Sequence, residues 1–178
     1  MPYRSVNPAT GEVLKTFTEH TDEQVRSALA TADKTFPAWA ARSFSDRSKI
    51  IGRSAQILLE QNEELARLAT LEMGKRIAES RGEVELSASI MQYFADKAEG
   101  FLAPKKLYSG MGDARLEYSA FGILLSIQPW NYPYYELARF VGPHLMSGNV
   151  ILLKRRRSPR KSEMGRGGAL YRVVDADR

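Results

Sequence analysis

The chain has 178 residues, of which 43% are hydrophobic and 26% are charged, a length that suits one packed domain or part of a larger protein. It has no apolar run of about 18 residues and no apolar signal region at its N-terminus, so we expect no membrane span, no secretion and a cytoplasmic location. The absence of cysteine excludes disulfides, thiolate metal sites and a cysteine nucleophile within these 178 residues.

The net charge of +5 comes from one end of the chain. Residues 1–154 contain 18 basic and 18 acidic side chains, whereas residues 155–178 contain 8 and 3. This last segment is rich in Arg and Gly and lacks apolar periodicity, so we interpret it as a basic tail that is disordered or translated out of frame. A nucleic-acid-binding arm is the alternative, but the balanced charge of the first 154 residues does not favour a nucleic-acid partner.

The first 40 residues predict a hairpin followed by a helix. Turn residues at 6–12 separate two short strands, Tyr3–Val6 and Val13–Phe17. Thr21 and Gln24 have the spacing of a capping box, and Pro37 is expected to end the helix that they begin. Helical spacing predicts a buried face formed by Val25, Ala28, Leu29, Ala32 and Phe36.

Three further helices are predicted between residues 45 and 98. They cover about 45–60, 62–73 and 77–98, with Asn62 as the N-cap of the second and Gly74 ending it. Their expected buried faces are Ile51, Ala55 and Leu58 in the first, Leu65, Leu68, Ala69 and Met73 in the second, and Val84, Ser87, Ala88, Met91 and Ala95 in the third.

The pattern changes to alternating strands and helices after Gly100. Residues 102–112 read as irregular, 115–119 as a strand and 122–127 as a buried parallel strand. Pro133 suits the first turn of a helix that reaches Met146, and residues 150–153 form the next strand. Strand, helix and strand make a right-handed βαβ unit, so the predicted fold class is α/β.

An ordered series of residues between 117 and 154 is the most specific motif of the chain. The series comprises Gly122, Ile127, Pro129-Trp130-Asn131, Pro133, Pro143, Gly148-Asn149 and Lys154. It resembles the aldehyde dehydrogenase superfamily. Two upstream segments, residues 7–12 (NPATGE) and 71–75 (LEMGK), and then Glu79 and Glu83, resemble segments of that family in the same order.

The resemblance covers about residues 1–154 and implies an incomplete Rossmann-like cofactor-binding domain with N-terminal helices. It also implies that residues 113–121 begin an oligomerisation hairpin, as part of a homo-oligomeric enzyme. The activity implied is NAD(P)-dependent oxidation of an aldehyde to the carboxylic acid, in which a cysteine thiolate attacks the aldehyde and a glutamate activates water.

The family's cysteine and glutamate lie downstream of the position of Lys154. We therefore expect this chain alone to be inactive, as an N-terminal piece ended by a frameshift or a premature stop. The alternative is a non-catalytic adaptor that binds a partner through the basic tail at 155–178.

The resemblance also implies roles for individual residues. Asn131 would donate its side-chain amide to the developing oxyanion, although the alternative is a simple turn with an Asx cap. Lys154 would bind the adenosine ribose or its 2′-phosphate, or else be a solvated strand end; Arg157 stands where the family usually has Ser or Glu. Three residues would line the nicotinamide side of the cofactor channel or be ordinary buried residues: Ile127, Pro129 and Trp130.

Arg139 carries the implied substrate preference. In the succinate-semialdehyde dehydrogenase branch of the family, an arginine at this position holds the distal carboxylate of the substrate, which a guanidinium binds through two parallel bonds. The alternative is an ion pair with Glu136 three residues earlier.

Tyr132, Tyr134 and Tyr135 either shape the aldehyde pocket or pack under the helix. The two histidines have no metal-ligand spacing, so no metal site is expected.

Overall fold

A computed structural model describes residues 3–108, 110 and 112–155 of the chain. Its elements are β1 Tyr3–Val6, β2 Val13–Phe17, α1 Asp22–Ala40, α2 Phe44–Glu60, α3 Asn62–Met73, α4 Ile77–Phe101, β3 Lys105–Leu107, β4 Ala114–Leu116, β5 Ile123–Gln128, α5 Pro133–Met146 and β6 Val150–Arg155. The predicted α/β class is confirmed. Arg155, which we assigned to the basic tail, belongs to β6, whereas residues 156–178, with Arg157, lie outside the described residues.

The strands of the described residues form three two-stranded sheets. β1 pairs with β2 and β3 pairs with β4, both antiparallel, whereas β5 and β6 run parallel. Helix α5 connects the two parallel strands, which confirms the predicted βαβ unit. The carboxyl ends of β5 and β6 therefore lie at the same edge of their sheet.

The main core lies between α2, α4, α5 and β6. Its buried members are Ile51, Ala55, Ala88, Met91, Ala95, Ala98, Ala138, Val141, Met146 and Ile151. A second cluster, formed by Ala32, Trp39, Val150 and Leu152, joins α1 to the parallel sheet. Strand β6 contributes to both clusters, so it is packed against helices on both of its faces. No helix of the described residues is long and apolar enough to cross a membrane.

Most local signals in the sequence are confirmed. The capping box is present, since the Thr21 hydroxyl accepts from the Gln24 amide at 3.2 Å and the Gln24 side chain accepts from the Thr21 amide at 2.9 Å. Gly74 ends α3 with a φ of 71°, where a side chain would be strained. The predicted buried face of α4 is buried throughout, and α5 begins and ends at the predicted residues.

Three predictions for the helices are wrong. Pro37 lies inside α1 and does not end it. The missing amide of Pro37 removes only one helical hydrogen bond, close to the C-terminus of α1, and its carbonyl still accepts from the Ala41 amide at 3.1 Å. Leu29 and Leu68 are exposed, because α1 and α3 bury stripes centred on small residues such as Ala32 and Ala69. Asn62 is the first helical residue of α3 and not its N-cap, and the first turn has no side-chain cap.

Three predictions for the strands need correction. Residues 102–112 are not irregular throughout, because Lys105–Leu107 finds an antiparallel partner in β4. β4 itself is shorter than the predicted strand at 115–119 and ends at Leu116. β5 is parallel as predicted but is buried on one face only: Ser126 is buried, whereas Leu125 and Ile127 are 55% and 59% exposed. Successive side chains of a strand point to opposite faces, so Ile123, Leu125 and Ile127 share one face; Ile123 packs against the cluster at α1, whereas Leu125 and Ile127 stay exposed.

Candidate active site at the carboxyl edge of the parallel strands

The parallel pair brings two predicted cofactor-binding residues side by side. Ile127 on β5 lies directly opposite Lys154 on β6 in the strand register, near the carboxyl end of both strands. This is the edge at which open α/β sheets bind ligands. The exposure of Ile127 and of Pro129 contradicts the interpretation of these two as ordinary buried residues, whereas Trp130 is half-buried.

Asn131 lies in the connection between β5 and α5, two residues before the helix begins. Its side chain is exposed, and within the described residues it neither caps α5 nor makes another hydrogen bond. The Asx-cap alternative is therefore not observed. An amide group at this place can donate to a ligand that reaches the carboxyl edge of the strands.

The first turn of α5 is capped from another helix. Pro133, the first helical residue, has no amide N–H, and the N-cap residue Tyr132 offers no side-chain acceptor. Glu83 of α4 supplies the acceptor: its Oε1 accepts from the amides of Tyr134 at 2.9 Å and Tyr135 at 3.3 Å. This carboxylate is 2% exposed and also pairs with the ammonium group of Lys75.

Lys75 and Glu83 also contact the tyrosines that follow Asn131 in the chain. The Lys75 ammonium lies 3.5 Å from the ring centroid of Tyr132, whose ring meets that of Tyr135 edge to face at 6.1 Å. The Tyr134 hydroxyl donates to the Leu65 carbonyl at 2.9 Å. Tyr134 therefore ties α5 to α3, whereas Tyr132 is 47% exposed beside Asn131.

Arg139 lies on the first half of α5 with its side chain exposed. Its guanidinium lies 5.3 Å from the ring centroid of Tyr135, and its Nη1 donates to the Tyr135 hydroxyl at 3.3 Å. Among the described residues it forms no ion pair with Glu136, so that alternative is not observed. The Tyr135 contact leaves most N–H groups of the fork available to a ligand.

Sequence reasoning missed Lys75 and Glu83 as parts of this site, although both stand in segments that resemble the family. The available signal was periodicity, because Glu83 shares a buried face of α4 with Ser80 and Ser87. A carboxylate on a buried helical face requires a partner. Among the described residues, no group of three or more acidic or histidine side chains could hold a metal ion.

Comparison with known proteins shows which family the chain resembles. A model described as "Aldehyde dehydrogenase family" matches residues 1–162. The succinate-semialdehyde dehydrogenase [NADP(+)] of Deinococcus radiodurans is 42% identical over 153 residues, which are 86% of this chain and 32% of that protein. The probable succinate-semialdehyde dehydrogenase [NADP(+)] of Synechocystis is 37% identical over 86% of this chain and 34% of that protein.

A solved structure supports the same relationship. Succinic semialdehyde dehydrogenase from Streptococcus pyogenes, in complex with NADP+, superposes with a TM-score of 0.83 and 34% identity, covering 86% of this chain and 34% of that one. The chain thus spans about a third of the length of the relatives it matches. A family model that matches most of the chain, together with the shared fold, shows that the chain belongs to the aldehyde dehydrogenase family.

Proposed function

We propose that this chain supplies part of the cofactor and aldehyde sites of an NAD(P)-dependent succinate-semialdehyde dehydrogenase. The observation that carries the proposal is that one sheet edge brings together Ile127, Lys154 and the exposed Asn131. The relatives named above for this activity share between 34% and 42% of their matched residues with this chain. As in those relatives, the expected cofactor is NADP+, with NAD+ as the alternative.

The cofactor would be held by residues at the carboxyl edge of β5 and β6. Lys154 offers an ammonium group to the ribose hydroxyls or to a 2′-phosphate, and the exposed apolar side chain of Ile127 offers a surface for the nicotinamide side. Pro129 and Trp130 continue that surface along the connection to α5. When bound, the cofactor would accept the hydride from the substrate.

Asn131 and Arg139 would act on the aldehyde. The neutral amide of Asn131 would donate to the oxygen on which negative charge develops, and this contact would be strongest in the transition state. Arg139 would hold the distal carboxylate with the N–H groups that Tyr135 leaves available. The two roles are separable, since the first lowers the barrier and the second selects a substrate with a carboxylate at the end distal to the aldehyde.

The chain alone would not catalyse this reaction. It contains no cysteine, so it has no thiolate to attack the aldehyde. We propose that the whole enzyme is a cytoplasmic homo-oligomer, with residues 113–121 in the contact between subunits. The adaptor alternative depends on a tail that, beyond Arg155, lies outside the described residues.

A chimaera tests the proposal directly. Residues 1–154 of this chain would replace the matching region of the Streptococcus pyogenes enzyme, and oxidation of succinate semialdehyde with NADP+ would be measured. Asn131→Ala should lower kcat by about 10²–10³-fold, the usual effect of losing one oxyanion donor. Arg139→Met should raise KM for succinate semialdehyde by roughly 10- to 100-fold, as expected for a lost charged contact, and leave KM for butanal nearly unchanged.

The matched control is Arg53→Met, which removes an exposed guanidinium whose partners among the described residues, Gln56 and Glu60, both belong to α2. Equal effects of Arg139→Met on both aldehydes would contradict the carboxylate role. Full activity of the Asn131→Ala chimaera would contradict the oxyanion role. Micromolar binding of NADP+ by the 178-residue chain itself would show that it is competent to bind cofactor without further residues.

A further inference from the structure

Glu83 is the most constrained charged group near the candidate site. Its carboxylate is almost completely buried, yet it makes contacts with three partners: the amides of Tyr134 and Tyr135 and the ammonium of Lys75. Burying a carboxylate is unfavourable unless hydrogen bonds and an opposite charge compensate it. The three contacts provide both, so the surroundings of Glu83 are matched to the ionised form.

The two amides it accepts from are those that a helix N-terminus leaves without partners. Tyr132 as N-cap supplies only its backbone carbonyl, which accepts from the Glu136 amide at 3.0 Å. Glu83 thus performs from α4 the task that a Ser or Asp at the N-cap usually performs locally. Its negative charge also lies at the positive end of the α5 dipole.

Lys75 connects Glu83 to Tyr132, the residue that follows Asn131. Its ammonium pairs with Glu83 and lies over the ring of Tyr132. The position of the chain is therefore set on both sides of the Tyr132–Pro133 bond, by the ring contact before it and by the capped amides after it. Asn131 itself has no hydrogen bond within the described residues, so its placement depends on these neighbours.

We infer that Glu83 is a positioning residue that fixes the first turn of α5 and, through Tyr132, the direction of the Asn131 amide. The catalytic meaning of this inference rests on the proposed function, in which Asn131 meets the developing oxyanion. The structural part does not, because it concerns only the contacts of α4 with α5.

Amide hydrogen exchange measured by NMR on the full 178-residue chain tests it. Glu83→Gln keeps the shape of the side chain but replaces one carboxylate oxygen with a donor and removes the charge. The remaining oxygen can still accept from both amides, but these bonds are no longer charge-assisted and the new Nε2 donor faces the Lys75 ammonium. We therefore expect the Tyr134 and Tyr135 amides to exchange about tenfold faster or more, with shifted side-chain amide signals of Asn131. Exchange in the later turns of α5, such as at Val141, should stay as in the wild type.

The matched control is Glu79→Gln, one turn earlier on α4, where the carboxylate is exposed and pairs with Arg76. It should leave both amides within about twofold of the wild type and the Asn131 signals in place, because an exposed pair contributes little. Tyr134 and Tyr135 amides that stay protected in Glu83→Gln would overturn the inference.

A second variant covers the case in which Glu83→Gln loosens the whole core. Lys75→Met combined with Glu83→Leu replaces the buried pair by apolar side chains, a change that often preserves stability. It should restore protection in the centre of α4 but leave Tyr134 and Tyr135 exchanging fast. Slow exchange at both amides in this folded variant would also overturn the inference. Neither result depends on NADP+ or aldehyde, so failure here and failure of the chimaera are distinguishable.

Discussion

The two ends of α5 are held by side chains of opposite charge, and they face different surroundings. At the N-terminal end the carboxylate of Glu83 accepts from two amides, next to the exposed Asn131. At the C-terminal end the guanidinium of Arg47 donates to the Met146 carbonyl at 3.0 Å, inside the core. Each charge has the sign that the helix dipole favours, but only the N-terminal end borders the carboxyl edge of the strands, where open α/β sheets generally bind ligands.

Arg47 differs from Glu83 in having no ion-pair partner among the described residues. It is 5% exposed and donates to three carbonyls, those of Met146, Ala40 and Arg42, at the ends of α5 and α1. Burial lowers the pKa of Arg47 from its ordinary value, although the group stays protonated. Arg47 therefore holds the ends of two helices together in the core, whereas Glu83 holds the turn next to Asn131, the residue that we propose donates to the oxyanion.

Replacing Arg47 should have the largest effect on stability. Arg47→Met keeps much of the apolar stem but leaves the buried Met146 carbonyl and two partly buried carbonyls without their donor, so we expect a loss of about 3 kcal/mol in the free energy of unfolding. Urea unfolding followed by circular dichroism measures it. Arg53→Met, which removes an exposed guanidinium from the same helix, should change stability by less than about 0.5 kcal/mol. Equal losses in the two variants would contradict the structural role of Arg47.

The next effect concerns Asn149, a buried side chain just after the C-terminal end of α5. Its Oδ1 accepts from the amides of Phe121 at 2.7 Å and Gly122 at 3.1 Å, and its Nδ2 donates to the His144 carbonyl at 3.3 Å. Asn149→Asp keeps the acceptor but turns the donor toward His144 into a second acceptor. We expect a loss of about 2 kcal/mol at pH 7, because a buried charge then faces a carbonyl.

Asn131→Asp is the isosteric control at the other end of α5. That side chain is exposed and makes no hydrogen bond within the described residues, so stability should change by less than about 0.5 kcal/mol. Chemical denaturation of both variants under one condition gives the comparison. A larger loss for Asn131→Asp than for Asn149→Asp would contradict the structural role of Asn149.

The features of α5 that depend on residues close together in the sequence were predictable. Pro133 marked its start, and the predicted βαβ unit implies two parallel strands, whose carboxyl ends with Ile127 and Lys154 lie at one sheet edge in the structure. The contacts that hold its ends were not predictable in this way. Glu83 lies 51 residues before the amide of Tyr134, and Arg47 lies 99 residues before Met146.

Strand β3 shows the same limit in the sheet. Its side chains are exposed along the whole strand, so no apolar alternation marks it, and only the pairing of Lys105–Leu107 with β4 makes it a strand. Pro37 is the opposite case, in which a strong local signal for a helix end was overridden. The Trp39 indole donates to the Leu145 carbonyl at 3.1 Å and keeps the last turn of α1 on the core.

A smaller effect is expected in the middle of α5, where it lies close to α4. A Cβ added at Gly142 would approach Phe94 Cδ2 to 3.0 Å, so Gly142→Ala should destabilise the chain by about 1–2 kcal/mol through overpacking. At Gly82, inside α4, a Cβ meets no atom within 4 Å, and Gly82→Ala should stabilise by about 0.5–1 kcal/mol. Thermal unfolding of the two variants measures these changes, and a loss of stability in both would contradict the packing argument.

The smallest effect is a dependence on pH that comes from His144, in the last turn of α5. Carbonyls at a helix C-terminus favour a cation, but burial lowers the pKa of His144 below its ordinary value of 6.5, so desolvation is the stronger influence. As the pH falls through 6.5, the unfolded chain takes up the proton first. The free energy of unfolding should therefore decline from this pH downward and level off below the folded pKa.

The measurement is the difference in unfolding free energy between about pH 7.5 and about pH 5.5, for the wild type and for His144→Gln. The variant removes the titrating ring, so its stability should fall less over this interval than that of the wild type. If the dipole at this end of α5 outweighed burial, the folded pKa would be raised and the wild type would gain stability on acidification relative to the variant. The sign of the difference thus decides whether the C-terminal end of α5 behaves as a buried core or as a site for a positive charge.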